Sequence, residues 1–375
     1  MTLRRLNVKG FRNLSPQQLC LADGITVVAG LNGSGKTNLL EAISVLGNLA
    51  SFRTPSALPL IQHRAPGYVL GGTVARDGTN VEIRQEVASS GERIHRSLFR
   101  GARRLAAPEY LDLLPVTVFS SLDRSFLWGP PEERRRFLDR VAFYRHPEAL
   151  LVLQRYRRLL RQRNALLARD ATDAQFDAFE YDFASLGARV VQLRLEALAA
   201  LESELEGELD TLGWSLSRPN LRYDAPDGLA PADPGTMARR LRATLMRMRQ
   251  RERSRRHTLV GPHRHDLAVH VRGAAARDVL SAGQGKLLTT ALKLATTGVL
   301  GTVRGLQPVL VFDDVDAEFD ADVLTRVLSR LRTAPQALLS SAHDDLMLPR
   351  LAGATLCRMR AGTVTEAPRE GPRVD

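Results

Sequence analysis

The sequence contains very little cysteine and no long apolar run. Cys20 and Cys357 are the only cysteines in 375 residues. They are too few for a disulfide framework or a cysteine-ligated zinc site, which indicates a reducing, cytoplasmic location. No stretch approaches the ~18 consecutive apolar residues of a membrane span. The start of the chain has arginines but no apolar segment behind them, unlike a secretory signal. We therefore expect a cytoplasmic protein with no membrane partner.

Aromatic residues and lysine are also scarce. Aromatic residues make up 5% of the chain, which does not favour stacking platforms for the bases of single-stranded nucleic acid. Only four of the 53 basic residues are lysine, so 49 are arginine, and the formal net charge is +12. Such an excess predicts a phosphate-rich partner, although a codon bias toward arginine would give the same composition. The length predicts two or three domains at ~150 residues each.

The positive charge is concentrated in two stretches. Residues 131–169 carry a net charge of +7 and residues 239–256 a net charge of +8, so the rest of the chain is slightly negative. Arginines on helices suit contact with the phosphates of duplex DNA without sequence readout. An alternative is that half of these arginines pair with acids inside the protein, such as the run at 202–210. The candidate DNA contacts are Arg134, Arg135, Arg136, Arg157, Arg158, Arg161, Arg253, Arg255 and Arg256.

Hydrophobic periodicity predicts an α/β fold interrupted by a helical region. Strands are expected at 3–8, 25–29, 68–74, 81–87, 94–99, 116–119, 267–271, 308–312 and 337–341. Helices are expected at 37–49, across most of 130–256 and at 286–300, with a loop at 217–233. An apolar stripe from Phe176 to Ala200 predicts the core of a helical bundle. The predicted domains are an α/β part from 1–131 and 257–375 and a helical part at 132–256.

A glycine-rich segment between the first predicted helix and the strand before it matches the phosphate-loop pattern G-x-x-x-x-G-K-[ST]. Its glycines let backbone N–H groups turn toward phosphates. Lys36 is placed to contact the β- and γ-phosphates, and Thr37 to bind Mg²⁺. The predicted nucleotide-binding residues in this segment are Gly30, Asn32, Gly33, Ser34, Gly35, Lys36, Thr37 and Asn38.

Two adjacent acids follow the apolar run at 309–312. A buried strand that ends in acids is the Walker B pattern, in which Asp313 holds the Mg²⁺ and Asp314 orients or deprotonates the attacking water. A solvated strand end is the alternative, and the upstream phosphate loop argues against it. Because aspartate is one methylene shorter than glutamate, we expect slow ATP hydrolysis, which suits a switch better than a motor. The predicted catalytic residues are Lys36, Asp313 and Asp314.

A short serine- and glycine-containing segment precedes the helix at 286–300. Ser281 suits the N-cap position of that helix, and capping alone would explain it. Together with the phosphate loop, the Walker B acids and the run at 317–320, the segment resembles the signature of the ABC-type ATPase superfamily. That resemblance implies that Ser281, Gly283 and Gln284 contact the nucleotide held by a second subunit. ATP would then join two copies in a homodimer.

Longer motifs narrow the resemblance to one family. The chain is similar to the RecF family, in the branch of ABC-type ATPases that also contains the SMC proteins, over nearly its whole length. The motifs that carry this similarity are FRN at 11–13, GNLASFRT at 47–54, GPPEERRRFLD at 129–139, QRNALL at 162–167 and GPHRHDL at 261–267. The resemblance implies an ATPase head with a helical second lobe and no long coiled coil. It also implies that Arg12 and Asn13 reach the nucleotide phosphates.

For function, the resemblance implies a recombination mediator in DNA repair. Its ATP-bound dimer would bind duplex DNA or duplex–single-strand junctions and help RecA load at gaps, together with RecO and RecR. Weak, DNA-stimulated ATP hydrolysis would release the DNA. Three alternatives stay open: an SMC-type ATPase head of another DNA-maintenance complex, an ABC transporter ATPase subunit, and a scaffold that uses ATP only to dimerise.

Some positions stay undecided at this point. Of the family's usual P-E-D after the strand at 116–119, only Asp123 is retained, which leaves the role of that segment open. The switch residue after the last core strand is either Ser341 or His343. His263 and His265 could indicate a metal site, but no third ligand is present, so local hydrogen bonding is the favoured interpretation.

Overall fold

A six-stranded sheet assembled from both ends of the chain forms the centre of the fold. The computed structural model describes residues 1–91, 93–169, 171–228, 232–317, 319–342, 351 and 353–366. In spatial order the strands of this sheet are β15 (Thr363–Glu366), β14 (Thr355–Arg360), β3 (Gly24–Ala29), β13 (Gln336–Ser341), β12 (Val309–Phe312) and β8 (Val116–Phe119). Neighbouring strands are parallel except for β14 with β15. The carboxyl ends of β3, β12 and β8 therefore open at one edge, where α/β folds bind their ligands.

An antiparallel sheet packs on the first helix, α1 (Lys36–Asn48). Its strands, in spatial order, are β2 (Gln17–Cys20), β1 (Thr2–Lys9), β4 (Gly67–Arg76), β5 (Thr79–Ser90), β6 (Arg93–Arg100) and β7 (Arg103–Arg104). Leu39 and Ile43 of α1 are fully buried in one apolar cluster with Val311 of the parallel sheet and Leu6 of the antiparallel sheet. Because close-packed side chains of both sheets hold α1, its amino-terminal end is fixed in space.

Helices fill the middle of the chain. They are α2 (Ala107–Leu111), α3 (Ser125–Trp128), α4 (Pro131–Arg145), α5 (Ala149–Leu167), α6 (Asp173–Thr211) and α7 (Pro234–Arg255), followed later by α8 (Ala276–Val279), α9 (Ala282–Arg304) and α10 (Ala321–Leu331). Phe176, Phe183 and Val190 of α6 are buried, which confirms the apolar stripe as a bundle core. The 39 residues of α6 span about 58 Å. Within the described ranges no longer helix occurs, as expected for a head without an extended coiled coil.

The second half of α6 packs on α9 and α10. Leu201 and Leu205 share an apolar cluster with residues of α9 and α10. Glu208 accepts hydrogen bonds from Arg330 of α10, the shortest at 2.6 Å, and Glu204 accepts one from Thr302 of α9 at 2.9 Å. The alternative that the acidic run at 202–210 pairs with the arginine-rich helices is not what these contacts show. Glu204 and Glu208 bind α9 and α10, and Asp210 pairs with Arg218.

A cluster of buried charges ties α5, α6 and α7 together. The guanidinium of Arg163 in α5 pairs with Glu180 of α6 and with Glu252 of α7, each at 2.7 Å, and all three side chains are fully buried. Arg249 of α7 also reaches Glu180, at 2.8 Å. Removing one member of such a cluster leaves the other charges buried without compensation. Since Arg163 and Glu252 both lie near the carboxyl ends of their helices, α5 and α7 end at the same tip of the helical region.

A small antiparallel sheet lies beside α6, with the strand order β11 (Ala274–Ala275), β10 (Asp266–Val271) and β9 (Asn220–Asp224). β9 falls within the predicted loop at 217–233, so that part of the prediction is wrong. β9 has five residues, and Leu221 is its one fully apolar, buried position, so its alternation of apolar and polar residues is weak. The surrounding Pro, Asp and Gly residues therefore led to the prediction of a loop. The nine strands that were predicted all have counterparts in the structure.

His263 and His265 lie just before β10 and are held by hydrogen bonds. His263 Nδ1 is 2.8 Å from the Tyr156 hydroxyl, and His265 lies 2.9 Å from both the Tyr223 hydroxyl and the Asp227 carboxylate. Burial lowers the pKa of His263 to about 4, so its ring is neutral at pH 7. The described part of the chain holds no cluster of three or more His, Cys, Asp or Glu residues suited to a metal. Local hydrogen bonding is therefore confirmed as the role of these two rings.

Candidate functional site

The loop that joins β3 to α1 has a backbone that only glycine adopts easily. Gly30, Gly33 and Gly35 all have positive φ angles. A Cβ atom on Gly30 would lie 2.4 Å from the carbonyl oxygen of Met359, so a side chain there would also collide with β14. The turn brings the amino terminus of α1 to the edge where β3 ends. Backbone N–H groups and the helix dipole at such a terminus attract phosphate.

Lys36 lies inside this loop. Its side chain is buried, and Nζ donates hydrogen bonds to the carbonyl oxygens of Gly30 at 2.6 Å and Leu31 at 3.3 Å. The Ser34 hydroxyl is also buried and finds no hydrogen-bond partner among the described residues. A buried polar group without a partner is costly. A bound polyphosphate would supply a negative charge to the Lys36 ammonium and a hydrogen-bond acceptor to the Ser34 hydroxyl.

Asp313 meets the phosphate loop from the end of β12. Its Oδ1 accepts hydrogen bonds from the Thr37 hydroxyl at 2.9 Å and from the Ser340 hydroxyl at 2.8 Å. Burial raises the pKa of Asp313, and the charge of neighbouring Asp314 raises it further. A carboxylate and a hydroxyl are the hard oxygen ligands that Mg²⁺ prefers, usually beside phosphate oxygens. The site therefore fits Mg²⁺, which would relieve the repulsion between the two acids.

Asp314 is held differently from Asp313. Its φ is +51°, a left-handed conformation that non-glycine residues rarely adopt, and its backbone N–H donates to the Ser340 hydroxyl at 2.8 Å. Its carboxylate, in contrast, takes no hydrogen bond from the part of the chain that the structure describes. One acid is thus anchored to Thr37, and the next has its backbone fixed and its carboxylate available. This difference is compatible with the predicted division between a metal ligand, Asp313, and a water-orienting group, Asp314.

Arg12, Asn13 and Asn38 come together beside Thr37. Asn38 Nδ2 donates to Asn13 Oδ1 at 2.7 Å. Arg12 does not point freely toward the loop, because Nε and Nη2 donate to the carboxylate of Glu41, each at 2.9 Å. The prediction that Arg12 and Asn13 lie at the nucleotide site is compatible with this placement, but Arg12 is shared with a protein carboxylate.

The signature residues lie at the amino terminus of α9. Ser281 is the N-cap, its hydroxyl accepting from the Gln284 backbone N–H at 3.2 Å, and Gln284 Oε1 accepts from the Ser281 N–H at 3.0 Å. Ser281 and Gly283 are exposed. In the described part of the same chain, no hydrogen bond joins Ser281, Gly283 or Gln284 to the phosphate loop. The structure therefore shows the capping role, and leaves this helix end open to another molecule.

The chain matches known proteins over nearly its whole length. The family model described as RecF/RecN/SMC N terminal domain covers residues 2–351. The DNA replication and repair protein RecF of Synechococcus sp. (strain JA-3-3Ab) is 33% identical over 99% of this chain and 100% of its own length. The chain belongs to the RecF family.

Another relative and two solved structures agree with this assignment to RecF. The RecF protein of Anaeromyxobacter sp. (strain Fw109-5) is 34% identical over 93% of this chain and 94% of its own. The structure of the recombination mediator protein RecF-ATP in the RecFOR pathway has a TM-score of 0.87 at 25% identity, covering 97% of this chain and 98% of that one. An Smc head domain from Pyrococcus furiosus has a TM-score of 0.53 at 18% identity, covering 96% of this chain and 94% of that one. The latter shows a shared fold.

Membership of the RecF family confirms the predicted family and the α/β ATPase-head fold. It places the chain among ATP-binding proteins of DNA replication, repair and recombination. The transporter-subunit and SMC-head alternatives are thereby set aside. Among the described residues, no helix is long and apolar enough to cross a membrane.

The segment that follows β8 in this RecF family member connects two parts of the site. The Asp313 backbone N–H donates to the carbonyl of Phe119, the last residue of β8, at 2.9 Å. Asp123, four residues later, accepts from the Ser120 N–H at 3.1 Å and forms an ion pair with Lys293 of α9. Asp123, whose role the sequence did not decide, therefore links the end of β8 to α9, the helix that begins with the signature residues.

The two candidate switch residues have different outcomes. Ser341 is buried at the end of β13, and its hydroxyl donates to Asp316 Oδ2 at 2.8 Å. His343 lies outside the described residues, as does Glu318 of the run at 317–320. The residue that touches Asp313 from this strand is instead Ser340, which the sequence reasoning did not select.

Arg134 is not available to DNA. Its guanidinium forms two hydrogen bonds with the Asp266 carboxylate, both at 2.8 Å, and donates to the carbonyl oxygens of Phe126 and Gly129. The side chain is 9% exposed. The prediction of Arg134 as a DNA contact is therefore corrected, because this arginine holds α4 to β10.

The remaining candidate arginines divide into two groups. Four of them bond to protein acceptors, which supports part of the alternative that such arginines pair internally. These are Arg135 with the His265 carbonyl, Arg136 with Glu132 and Glu133, Arg157 with Asp139, and Arg253 with Asp173. The other four are exposed and have no ion pair with an acid within the described ranges; they are Arg158, Arg161, Arg255 and Arg256.

Three contributors to the site were missed by the sequence reasoning: Glu41, Arg53 and Ser340. Arg53 stands in the motif at 47–54 and Glu41 follows the phosphate loop on α1, yet sequence position does not say which side chains meet. Arg53 Nη1 donates to Asn38 Oδ1 at 2.8 Å. Ser340 carries no motif and is found only because parallel pairing of β13 with β12 places it beside Asp313.

Proposed function

We propose that this RecF family member is an ATP-driven switch that dimerises on duplex DNA or on duplex–single-strand junctions. In this proposal it acts as a recombination mediator that helps load RecA at gaps together with RecO and RecR. The observation that carries it is the 2.9 Å hydrogen bond between Thr37 at the phosphate loop and Asp313 at the end of β12. This hydrogen bond joins two residues that are far apart in sequence and that are both predicted to bind Mg²⁺, and Thr37 directly follows Lys36.

The proposed chemistry divides among a few side chains. Lys36 and the backbone N–H groups of the phosphate loop bind the ATP phosphates. Thr37 and Asp313 would hold Mg²⁺, which would neutralise part of the negative charge of the phosphates. Asp314, with its carboxylate unengaged and its backbone fixed through Ser340, orients the attacking water and accepts its proton. The shorter reach of aspartate makes hydrolysis slow, and DNA binding stimulates it.

The proposed dimer follows from the exposed amino terminus of α9. Ser281, Gly283 and Gln284 contact the γ-phosphate held by the second copy, so two ATP molecules join two heads. Helix N-termini attract phosphate through their N–H groups and dipole, and this terminus already has Ser281 in the N-cap position. Hydrolysis removes the γ-phosphate, separates the heads and releases the DNA.

The proposed division of the chain stays as expected from sequence. An ATPase lobe consists of residues 1–131 and 257–375, and a helical lobe of residues 132–256. We also propose a cytoplasmic location, with the two cysteines reduced. Cys20 and Cys357 are both free, and Cys357 is buried.

The proposed DNA interface is the tip where α5 and α7 end. We call Arg158, Arg161, Arg255 and Arg256 the tip arginines. The acids in this region are already engaged: Arg163 and Arg249 share Glu180, and Arg253 binds Asp173 at 2.7 Å. The tip arginines are left to face solvent, which gives a positively charged surface on helices. This arrangement suits backbone contacts with a duplex and carries no sequence readout.

We expect replacement of all four tip arginines by glutamine to weaken duplex binding in the presence of ATP by at least roughly tenfold. Each lost phosphate contact reduces the slope of log affinity against log salt by about 0.9. For wild type with six to ten contacts per dimer, affinity should fall roughly 10³–10⁵-fold between 50 and 200 mM salt. Titration of a fluorescent duplex at several salt concentrations measures both quantities.

A matched control for the tip variant replaces four surface arginines that already pair with acids. These are Arg4, Arg76, Arg218 and Arg277, paired with Asp23, Asp77, Asp210 and Asp278. The control changes net charge equally but should keep the wild-type slope. A tip variant with the wild-type slope, or a control that loses as much affinity, would remove the tip from the DNA interface.

A further inference from the structure

Glu41 is a buried carboxylate on the helix that follows the phosphate loop. It lies one turn after Thr37 on α1 and is fully buried. Both of its oxygens are used: Arg12 donates to each of them at 2.9 Å, and the Ser51 hydroxyl donates to Oε1. Arg53 Nη1 lies 3.4 Å from Oε2. One carboxylate therefore joins three chain segments: the turn after β1, the helix α1, and the loop after α1.

The turn that carries Arg12 is strained and depends on this carboxylate. Arg12 has φ +51°, a left-handed conformation that costs of order 1–3 kcal/mol for a non-glycine residue. Its side chain is held by Glu41 and by the carbonyl oxygen of Pro59 at 2.9 Å. Those contacts use three of the five N–H groups of a guanidinium. The remaining two stay available on a side chain that is 19% exposed.

The cluster also reaches the first turn of α1 from the other side. Arg53 donates to Asn38 Oδ1, and Asn38 in turn donates to Asn13 Oδ1. Asn38 directly follows Thr37, so both arginines are fixed next to the phosphate loop. With two guanidinium groups and one carboxylate, the cluster has a net charge of +1. It therefore still attracts an anion after its internal pairing is complete.

A purely structural role does not account well for this carboxylate. Glu41 is surrounded on α1 by Leu39, Leu40, Ala42 and Ile43, all fully buried. An apolar residue of similar volume often serves stability as well as a buried ion pair, or better. What a leucine could not do is hold two guanidinium groups in a defined orientation.

We propose that Glu41 is a positioning residue for the nucleotide. It fixes Arg12 and Arg53 beside the phosphate loop, so that their remaining N–H groups meet phosphate oxygens without a further loss of side-chain freedom. Glu41 itself contacts no nucleotide. The inference rests on the proposed ATP site and adds to it a carboxylate that acts through two arginines.

The test is a double-mutant cycle on ATP affinity. We expect Glu41→Gln and Arg12→Gln each to raise the Kd for ATP about 5- to 20-fold. If Glu41 acts partly through Arg12, the double variant should lose less affinity than the product of the two single losses, since the share that passes through Arg12 is already absent; only the share through Arg53 remains to be lost. Ser51→Ala, which removes one hydrogen bond to Glu41 without emptying the site, should raise Kd by a smaller factor and serves if Glu41→Gln fails to fold.

Controls separate this inference from the proposed site itself. Glu109→Gln, at a carboxylate that pairs with Arg103 on the surface, should bind ATP like wild type. If Lys36→Ala strongly weakens ATP binding while the Glu41, Arg12 and Ser51 variants bind normally, the positioning role is wrong and the ATP site stands. Additive losses in the double variant would also overturn it. If Lys36→Ala binds ATP like wild type, the proposed site itself fails.

Discussion

Replacing Lys36 by alanine should weaken ATP binding by roughly 10- to 100-fold, because a hydrogen-bonded contact with a charged phosphate is worth about 1.5–3 kcal/mol. Among the described residues, Lys36 Nζ donates hydrogen bonds only to carbonyl oxygens of its own loop, those of Gly30 and Leu31. The fold without nucleotide should therefore change little. Calorimetric titration with ATP, together with urea unfolding of the same sample without ATP, separates the two effects.

Two further variants sharpen this prediction. Lys36→Arg keeps the positive charge but replaces a compact ammonium by a planar guanidinium, which does not fit the same loop. ATP-dependent dimerisation should therefore be lost in this variant. Lys9→Ala removes an exposed lysine of β1 and should bind ATP like wild type. ATP affinity within twofold of wild type in Lys36→Ala would show that the loop is not the phosphate site.

The second large effect concerns stability. Replacing Arg163 by methionine should lower the free energy of unfolding by about 3–5 kcal/mol, because it leaves buried carboxylates without their partner. Glu252 loses its 2.7 Å ion pair entirely, while Glu180 keeps the contact with Arg249. Urea unfolding followed by circular dichroism measures the change.

The matched control lies on the same helix. Arg158→Met alters an exposed side chain of α5 and should stay within about 0.5 kcal/mol of wild type. Replacing Arg163 and Glu252 together by methionine should recover part of the loss, since no carboxylate is then left unpaired on α7. If Arg163→Met is as stable as Arg158→Met, the buried cluster does not hold the three helices together.

The sequence predicted those parts of the site that depend on short, contiguous patterns. The phosphate loop is readable because its glycines, lysine and threonine are adjacent and flanked by a strand and a helix. The acids after β12 are readable because an apolar run ends in charge. In both places the residues that form the local structure are also the residues that the fold brings to the site. For the same reason the predicted strands and helices there agree with those of the structure.

What the sequence could not supply is the pairing of distant side chains. The acids at 202–210 and the arginines at 239–256 have complementary charges, yet Glu208 binds Arg330 instead. Arg134 belongs to an arginine triplet whose members have three different fates, because helix geometry sends each to a different face. Ser340 enters the site only through strand order. Such contacts depend on three-dimensional packing, and composition carries no record of it.

In the proposed mechanism, ATP joins two copies of this chain through the exposed amino terminus of α9. Native mass spectrometry of the wild-type chain, with and without ATP and a short duplex, tests it most directly. We expect a mass of 41.4 kDa without ligands and twice that mass, plus nucleotide and one duplex, when both are present. A chain that stays monomeric with ATP and duplex together would exclude ATP-dependent dimerisation and the role of Ser281 across the dimer.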